Sequence, residues 1–274
     1  MQVVEVKVRP QLFSIRRPLS YQVADALLLP QPSSLVGALA SCLAKLDFKA
    51  AGMGDEHIKS LIDETLRGLE RVAVKPTSPI VASPVVLSRL RVLEKTSDEI
   101  EQGGRLSDAM VREYVHGSFT LYFVFRNHDL ALKAEKALFL LERIGDTESL
   151  VAVESINLCR LSKIGEKADV DTSTRADWVN GIEGDFVAAR MCVEGFAREV
   201  VRVGRGKLST ASRYLDELRE KYECMFYLPL KIERVKDRVF FVPTNLRLEV
   251  KPGFKIVEAE AEDRARLVVS LPHE

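Results

Sequence analysis

Ser118-Phe-Thr-Leu-Tyr-Phe-Val-Phe-Arg126 is the most strand-like run in the chain. Aromatic and β-branched residues fill it, with no proline or glycine to interrupt a ladder. Leu130 to Ile144 follows as a helix, with Leu132, Ala137, Leu140 and Leu141 on one side and Gly145 as its stop. Leu150 to Leu161 then returns as a strand.

Working back from that unit, Val3 to Val8 alternate apolar and polar residues, the pattern of a strand with one buried face. Helices are expected at about 34–48 and 55–71, the second carrying Ile58, Leu61, Ile62, Leu66 and Leu69 at helical spacing. Extended segments follow at Val72–Lys75 and, after a Pro/Ser break, at Val85–Leu93. From Glu94 to Gly117 the chain is polar, with Gly103-Gly104 near its middle. That is longer than an ordinary connection and marks an excursion. Strand, helix, strand, excursion, strand, helix, strand is the order of a ferredoxin-like α+β domain, expected over residues 1–164.

Beyond Ile164 the pattern weakens. Gly165 to Asp185 is polar and acid-leaning and holds the one tryptophan, Trp178. In the following basic segment Arg198, Arg202, Arg205, Lys207 and Arg213 are opposed only by Glu199. A helix at Thr210–Glu223 leads to a strand at Cys224–Leu230 and a hairpin turning near Lys236-Asp237. Strands at Phe254–Ala259 and Ala265–Leu271 close the chain. Residues 165–274 thus read as a helix and a small β-rich region.

Composition bounds the function. The 274 residues suffice for a sizeable core, and formal charge sums to zero, so only local basic patches can argue for nucleic acid. Lys, Arg and Glu outweigh Asn and Gln, a bias of proteins from hot environments. Cys42, Cys159, Cys192 and Cys224 are scattered and read as small buried hydrophobes of a reducing cytosol, not as zinc ligands or a redox pair. No signal peptide or membrane-length apolar run is present, so the expected location is cytoplasmic.

Arg16 to Phe48 begins with two arginines, crosses a proline-punctuated extended segment and enters a helix. Pro32 keeps the entry extended, and Ser33 or Ser34 is the expected N-cap. Leu35 to Ala40 is small and apolar, as in a closely packed helix. The start reads either as a capped packing helix or as an anion site.

Catalytic signatures are sparse. There is no G-x-S-x-G, P-loop or H-E-x-x-H, and Arg105 follows Gly103-Gly104 where a two-metal palm needs carboxylates. Asp169 and Asp171 read as solvated acids, and no metal or cofactor is expected. His57, His128 and His273 have no metal-like spacing; His116 with Tyr114 and Lys95 is the set that metal-free RNA cleavage would use. Val203-Gly-Arg-Gly-Lys207 is either a phosphate-approaching loop or a solvated tip. Phe119, Tyr122 and Phe125 supply RNA-stacking platforms only if they face outward.

Phe13-Ser-Ile-Arg-Arg-Pro18 and Leu29-Pro-Gln-Pro-Ser-Ser-Leu-Val-Gly-Ala-Leu-Ala40 resemble the opening of the Cas-five family of CRISPR-associated RAMP proteins, with Gln31 in place of one proline. Ile144-Gly-Asp-Thr-Glu-Ser-Leu-Val-Ala-Val153 is similar to the archaeal type I-A branch. The resemblance covers about the first 50 residues and 140–160. It implies a ferredoxin-like (RRM-like) RAMP core with a β-hairpin thumb between strands two and three, where the excursion at about 94–117 falls. It also implies a non-catalytic Cascade subunit gripping the 5′ handle of crRNA. The implied partners are crRNA, the backbone RAMP subunit, other Cascade subunits and the helicase and nuclease subunits of interference, with no membrane. On this reading Arg16, Arg17, Ser33 and Ser34 receive handle phosphates, and Arg89, Arg91, Arg202, Arg205 and Lys207 add cations. The alternatives are a metal-independent endoribonuclease that processes CRISPR repeat RNA, and a small-molecule-binding regulatory domain.

Overall fold

The alternating valines at the amino terminus form β1 (Gln2–Pro10), which lies inside a six-stranded antiparallel sheet. The computed structural model describes residues 1–17, 23–47, 55–90, 107–145, 149–202, 220–261 and 264–270. In chain order there follow β2 (Val23–Ala24), α1 (Pro32–Leu46), α2 (Asp55–Gly68), β3 (Leu69–Pro76), β4 (Val81–Leu90), β5 (Ser107–His116) and β6 (Phe119–Phe125). Next come α3 (His128–Leu138), β7 (Val151–Gly165), β8 (Lys167–Val170), β9 (Thr174–Arg175), a 3-10 turn at Ala176–Trp178, β10 (Val179–Glu183), β11 (Val187–Cys192) and α4 (Phe196–Arg202). The chain closes with β12 (Glu223–Leu228), β13 (Leu230–Val235), β14 (Arg238–Pro243), β15 (Leu246–Val250), β16 (Phe254–Ala259) and β17 (Ala265–Ser270). It is a mixed α and β protein, mostly sheet. Among the described residues no helix is long and apolar enough to cross a membrane.

The main sheet runs β17-β16-β7-β1-β6-β3. The helices α1 and α3 cover one face, where Leu35, Leu39, Ala131, Ala134 and Leu138 meet Val4, Val6, Leu121 and Phe123. On the other face Val3, Ala73, Tyr122 and Val124 are buried against Val257, Ala259, Leu267 and Val269 of β16 and β17. This double cover is why β6 is buried at every position and shows no polar alternation. Even Glu5 is buried there, its carboxylate accepting from Tyr122 Oη (3.2 Å) and Asn157 Nδ2 (3.0 Å).

A buried arginine holds that second cover in place. Arg71 of β3 is 1% exposed, and its guanidinium donates to the carbonyls of Val268 on β17 and Ser173 before β9. It also lies 4.9 Å from the Trp178 ring, which stacks on Phe254 at 4.8 Å. Burial pushes Arg71 down to about 10, so it remains a cation at neutral pH.

Several expectations need correction. The strand expected at Val85–Leu93 is β4, which leaves the sheet and pairs with β5 in a ladder from Val81–His116 to Leu90–Ser107. Its valines follow strand propensity without burial, so composition marked it as extended without saying which sheet it joins (Val86 is 69% exposed). The excursion therefore starts near Val81, and residues 91–106, with Gly103-Gly104, lie outside the described residues. The α3 helix ends at Leu138, well before Gly145. That glycine (φ 85°) instead serves the turn of the Arg143–Leu150 bridge, where a Cβ would come within 2.6 Å of Ile15 Cγ1. The polar stretch 165–185 contains β8, β9 and β10, each completed by partners far along the chain. Most of the helix expected at Thr210–Glu223 lies outside the described residues, and Glu223 opens β12. β16 and β17 match their expected spans closely and extend the main sheet.

Arg71→Ala should lower stability by about 2–4 kcal/mol, because two buried carbonyls lose their donor. Arg71→Lys should fall between, since an ammonium lacks the planar fork that reaches both. Urea unfolding midpoints of the two variants check both outcomes.

Candidate nucleic-acid interface

The crossing from β1 to α1 doubles back on itself and sits on the root of the β4–β5 hairpin. Phe13 and Val115 exchange backbone hydrogen bonds of 3.1 and 2.7 Å, and Val23 and Ala24 pair in parallel with Val111 and Arg112. Leu27 N donates to Ile15 O (2.8 Å) and Arg17 N to Asp25 O (2.8 Å), closing the crossing into a narrow ribbon. Glu113 of β5 ties both limbs: its carbonyl accepts from Ser14 Oγ (2.9 Å) and its carboxylate from Ala26 N (2.9 Å). Arg112 Nε donates to Ser14 Oγ (3.1 Å) and its guanidinium lies 5.4 Å from the Tyr114 ring. Ile15, Ala26 and Leu27 point into the core, while Arg16 and Arg17 are exposed. Arg17 Nε also donates to Ala26 O at 3.1 Å.

The helix start behaves differently from the expected cap. The N-cap of α1 is Gln31, with Pro32 in the first helical position, because the fixed φ of proline already suits a helix. Ser33 and Ser34 are therefore inside the first turn. Ser33 is buried and does not present its hydroxyl to a solvent-borne anion; Ser34 is half-buried and its Oγ accepts from Gln31 Nε2 at 3.3 Å. Gln31 Oε1 in turn accepts from Cys192 N (3.1 Å), pinning the helix start to β11.

The structure thus brings Arg16 and Arg17 beside the hairpin that carries Arg89, whose backbone pairs with Asp108. Arg91, Arg205 and Lys207 lie outside the described residues, as do the side chains of Arg89 and Arg202. Arg202 ends α4, a separate element whose Arg198 is engaged by Asp63 of α2. Phe119, Tyr122 and Phe125 are 3%, 0% and 0% exposed, so β6 offers no stacking platform. Tyr114 is buried beneath Arg112, His116 is exposed, and Lys95 is outside the described residues. Asp171 is not a free acid: it pairs with Lys75 (2.8 Å) and accepts from Arg266 N (2.8 Å). Arg112 and Glu113 escaped notice in the sequence because the excursion hid the strand whose alternation would have placed them.

No family model matches the chain. It is 35% identical over 191 residues to the CRISPR-associated protein Cas5 of Methanocaldococcus jannaschii, covering 66% of this chain and 74% of that protein. It is 34% identical over 159 residues to the CRISPR-associated protein Cas5 of Thermoproteus tenax, covering 55% of this chain and 64% of that protein. The fold is similar to that of a CRISPR protein from Archaeoglobus fulgidus, with a TM-score of 0.58, 18% identity, and coverage of 99% of this chain and 100% of that one. This is a CRISPR-associated protein. It belongs to the Cas5 family.

Burial pushes Cys42, Cys159 and Cys224 up to about 11. Because a raised thiol is protonated over a wider range, its thiolate fraction at pH 8 falls about a hundredfold for a shift of two units. Maleimide labelling of the native protein at pH 8 should be correspondingly slow at these three, and should accelerate as pH rises towards 11.

Proposed function

We propose that this chain is a non-catalytic RNA-binding subunit of a type I, Cascade-type CRISPR complex, gripping the 5′ handle of crRNA and capping the filament of backbone subunits. The observation that carries this reading is the seating of the Arg16–Arg17 crossing on the root of a long hairpin, through Phe13–Val115 and Glu113. The order β7-β1-β6-β3 within the main sheet, with β4 and β5 falling between β3 and β6 in the chain, supports a ferredoxin-like β-α-β-β-α-β reading. We read that hairpin as the thumb of a RAMP protein. Membership of the Cas5 family supports the same assignment. The arginines then hold handle phosphates while the hairpin shapes the strand beside them, with crRNA and neighbouring Cascade subunits as partners.

The competing reading is a metal-independent endoribonuclease acting on repeat RNA through His116 and Tyr114. It is less well supported, since Tyr114 is 7% exposed and lies beneath Arg112. Incubating the pure protein with repeat RNA in EDTA should yield no discrete product; a discrete product overturns the non-catalytic assignment.

Arg16→Ala combined with Arg17→Ala should weaken binding to an RNA carrying the 5′ handle, and should reduce the salt slope by about 0.7 for each phosphate no longer held. Unchanged affinity and slope would remove the crossing from the interface.

A further inference from the structure

Beyond its root, the hairpin of β13 and β14 is open to solvent. Every residue from Lys231 to Val239 is exposed, including Ile232 (55%), Val235 (56%) and Val239 (39%). A lone two-stranded hairpin is marginally stable in water, and these aliphatic residues keep much of their surface open to solvent. Its root is firm: Leu230 is fully buried, and Phe241 exchanges backbone hydrogen bonds of 2.8 and 2.9 Å with Ile80, just ahead of β4. That bridge is antiparallel, so the path from Phe241 back to the turn runs the same way as β4 runs from Ile80 to Leu90. Two hairpins therefore leave the body side by side and in one direction. At about 3.3 Å per residue the shorter reaches about 17 Å past the bridge, half the reach of β4.

The tip of the shorter hairpin is cationic. Arg234, Lys236 and Arg238 surround a single acid, Asp237, and among the described residues none of the three cations has an ion-pair partner. Lys231, nearer the root, pairs with Glu233 at 3.4 Å. Lys236 has φ 55°, the one non-glycine residue with positive φ among the described residues. Glycine or asparagine relaxes such a position, so a lysine there keeps a charge at the expense of backbone strain. Unpaired, hydrated cations suit phosphates; the cores of protein interfaces are depleted of lysine.

We propose that the β13–β14 hairpin is a second nucleic-acid arm, whose Arg234, Lys236 and Arg238 hold the phosphate backbone of a single-stranded RNA alongside the β4–β5 hairpin. Ile232 and Val239, which share a face with Arg234, lie against sugars and bases of the same strand, while Arg238 and Val235 occupy the opposite face at the tip. The inference rests on the RNA-binding reading above and adds a surface to it.

The test uses the full chain and a fluorescein-labelled single-stranded oligoribonucleotide titrated over a range of salt. The variant Arg234→Gln/Lys236→Gly/Arg238→Gln should bind about tenfold or more weakly near 0.1 M salt, with the salt slope reduced by about 2. Its thermal midpoint should be unchanged or higher, because glycine relieves the turn. A control, Lys59→Gln/Arg67→Gln/Lys136→Gln, removes as many exposed cations from α2 and α3 and should change binding little. Equal weakening in both variants overturns the arm, leaving only diffuse attraction. Unchanged RNA affinity in the arm variant overturns it too, and loss of a co-purifying protein subunit in that case makes the hairpin a protein contact. If the Arg16→Ala/Arg17→Ala protein still weakens, the proposed function survives that failure. A wild-type protein that binds no single-stranded RNA overturns both.

Discussion

A guanidinium with no water around it sets the shape of this molecule. Taking Arg71 out of solvent is costly, and the fold accepts the cost because two carbonyls and the Trp178 ring replace the lost hydration. Those carbonyls belong to Val268 and Ser173, so satisfying one side chain draws the last strand of the sheet towards the first edge. The sheet then curls, and its second face closes over Tyr122 and Val124. A four-stranded unit of this order elsewhere offers that face to RNA as an aromatic platform. Here the face is core, so the proposed RNA binding rests on the rim, where the crossing and the two hairpins emerge.

At the rim, one residue does two jobs. Glu113 offers its carbonyl to one limb of the crossing and its carboxylate to the backbone of the other. The carboxylate thus takes the place of a strand neighbour that β5 lacks at Ala26. Arg16 and Arg17 are consequently presented from a braced ribbon whose apolar residues, Ile15 and Leu27, are buried. A braced ribbon spends little ordering entropy on contact with a ligand, which favours affinity from few charges in a chain of zero net charge.

Legibility in the sequence followed burial. β1 could be read as a strand from Val4, Val6 and Val8 at every second position, but its second buried face could not, since Val3 and Glu5 are buried as well. β6 was legible as a buried strand, but which face of it met what was not, since its second cover comes from residues more than a hundred positions later. The turn at Lys236-Asp237 and the spans of β16 and β17 were visible from local chemistry. β4 misled because β-branched residues signal extension and not location. The N-cap misled because two serines beside a proline look like caps, while the proline itself starts the helix one residue earlier. In the candidate interface, the arginines were visible as residues; their bracing through Glu113 and Ser14 was not, because it joins positions about a hundred apart.

The position of β1 has a further consequence, in time. Both of its neighbours, β6 and β7, come from the middle of the chain, and the clasp of Arg71 on Val268 joins residues 197 positions apart. Loops of that length must close before any of these contacts contributes, so folding is slow relative to a protein of local contacts. β1 stays unpaired until β6 and β7 exist, and Val3, Tyr122 and Val124 stay uncovered until β16 and β17 do. A growing chain therefore carries unpaired apolar strands for most of its synthesis, and completes its core only when its final strand arrives.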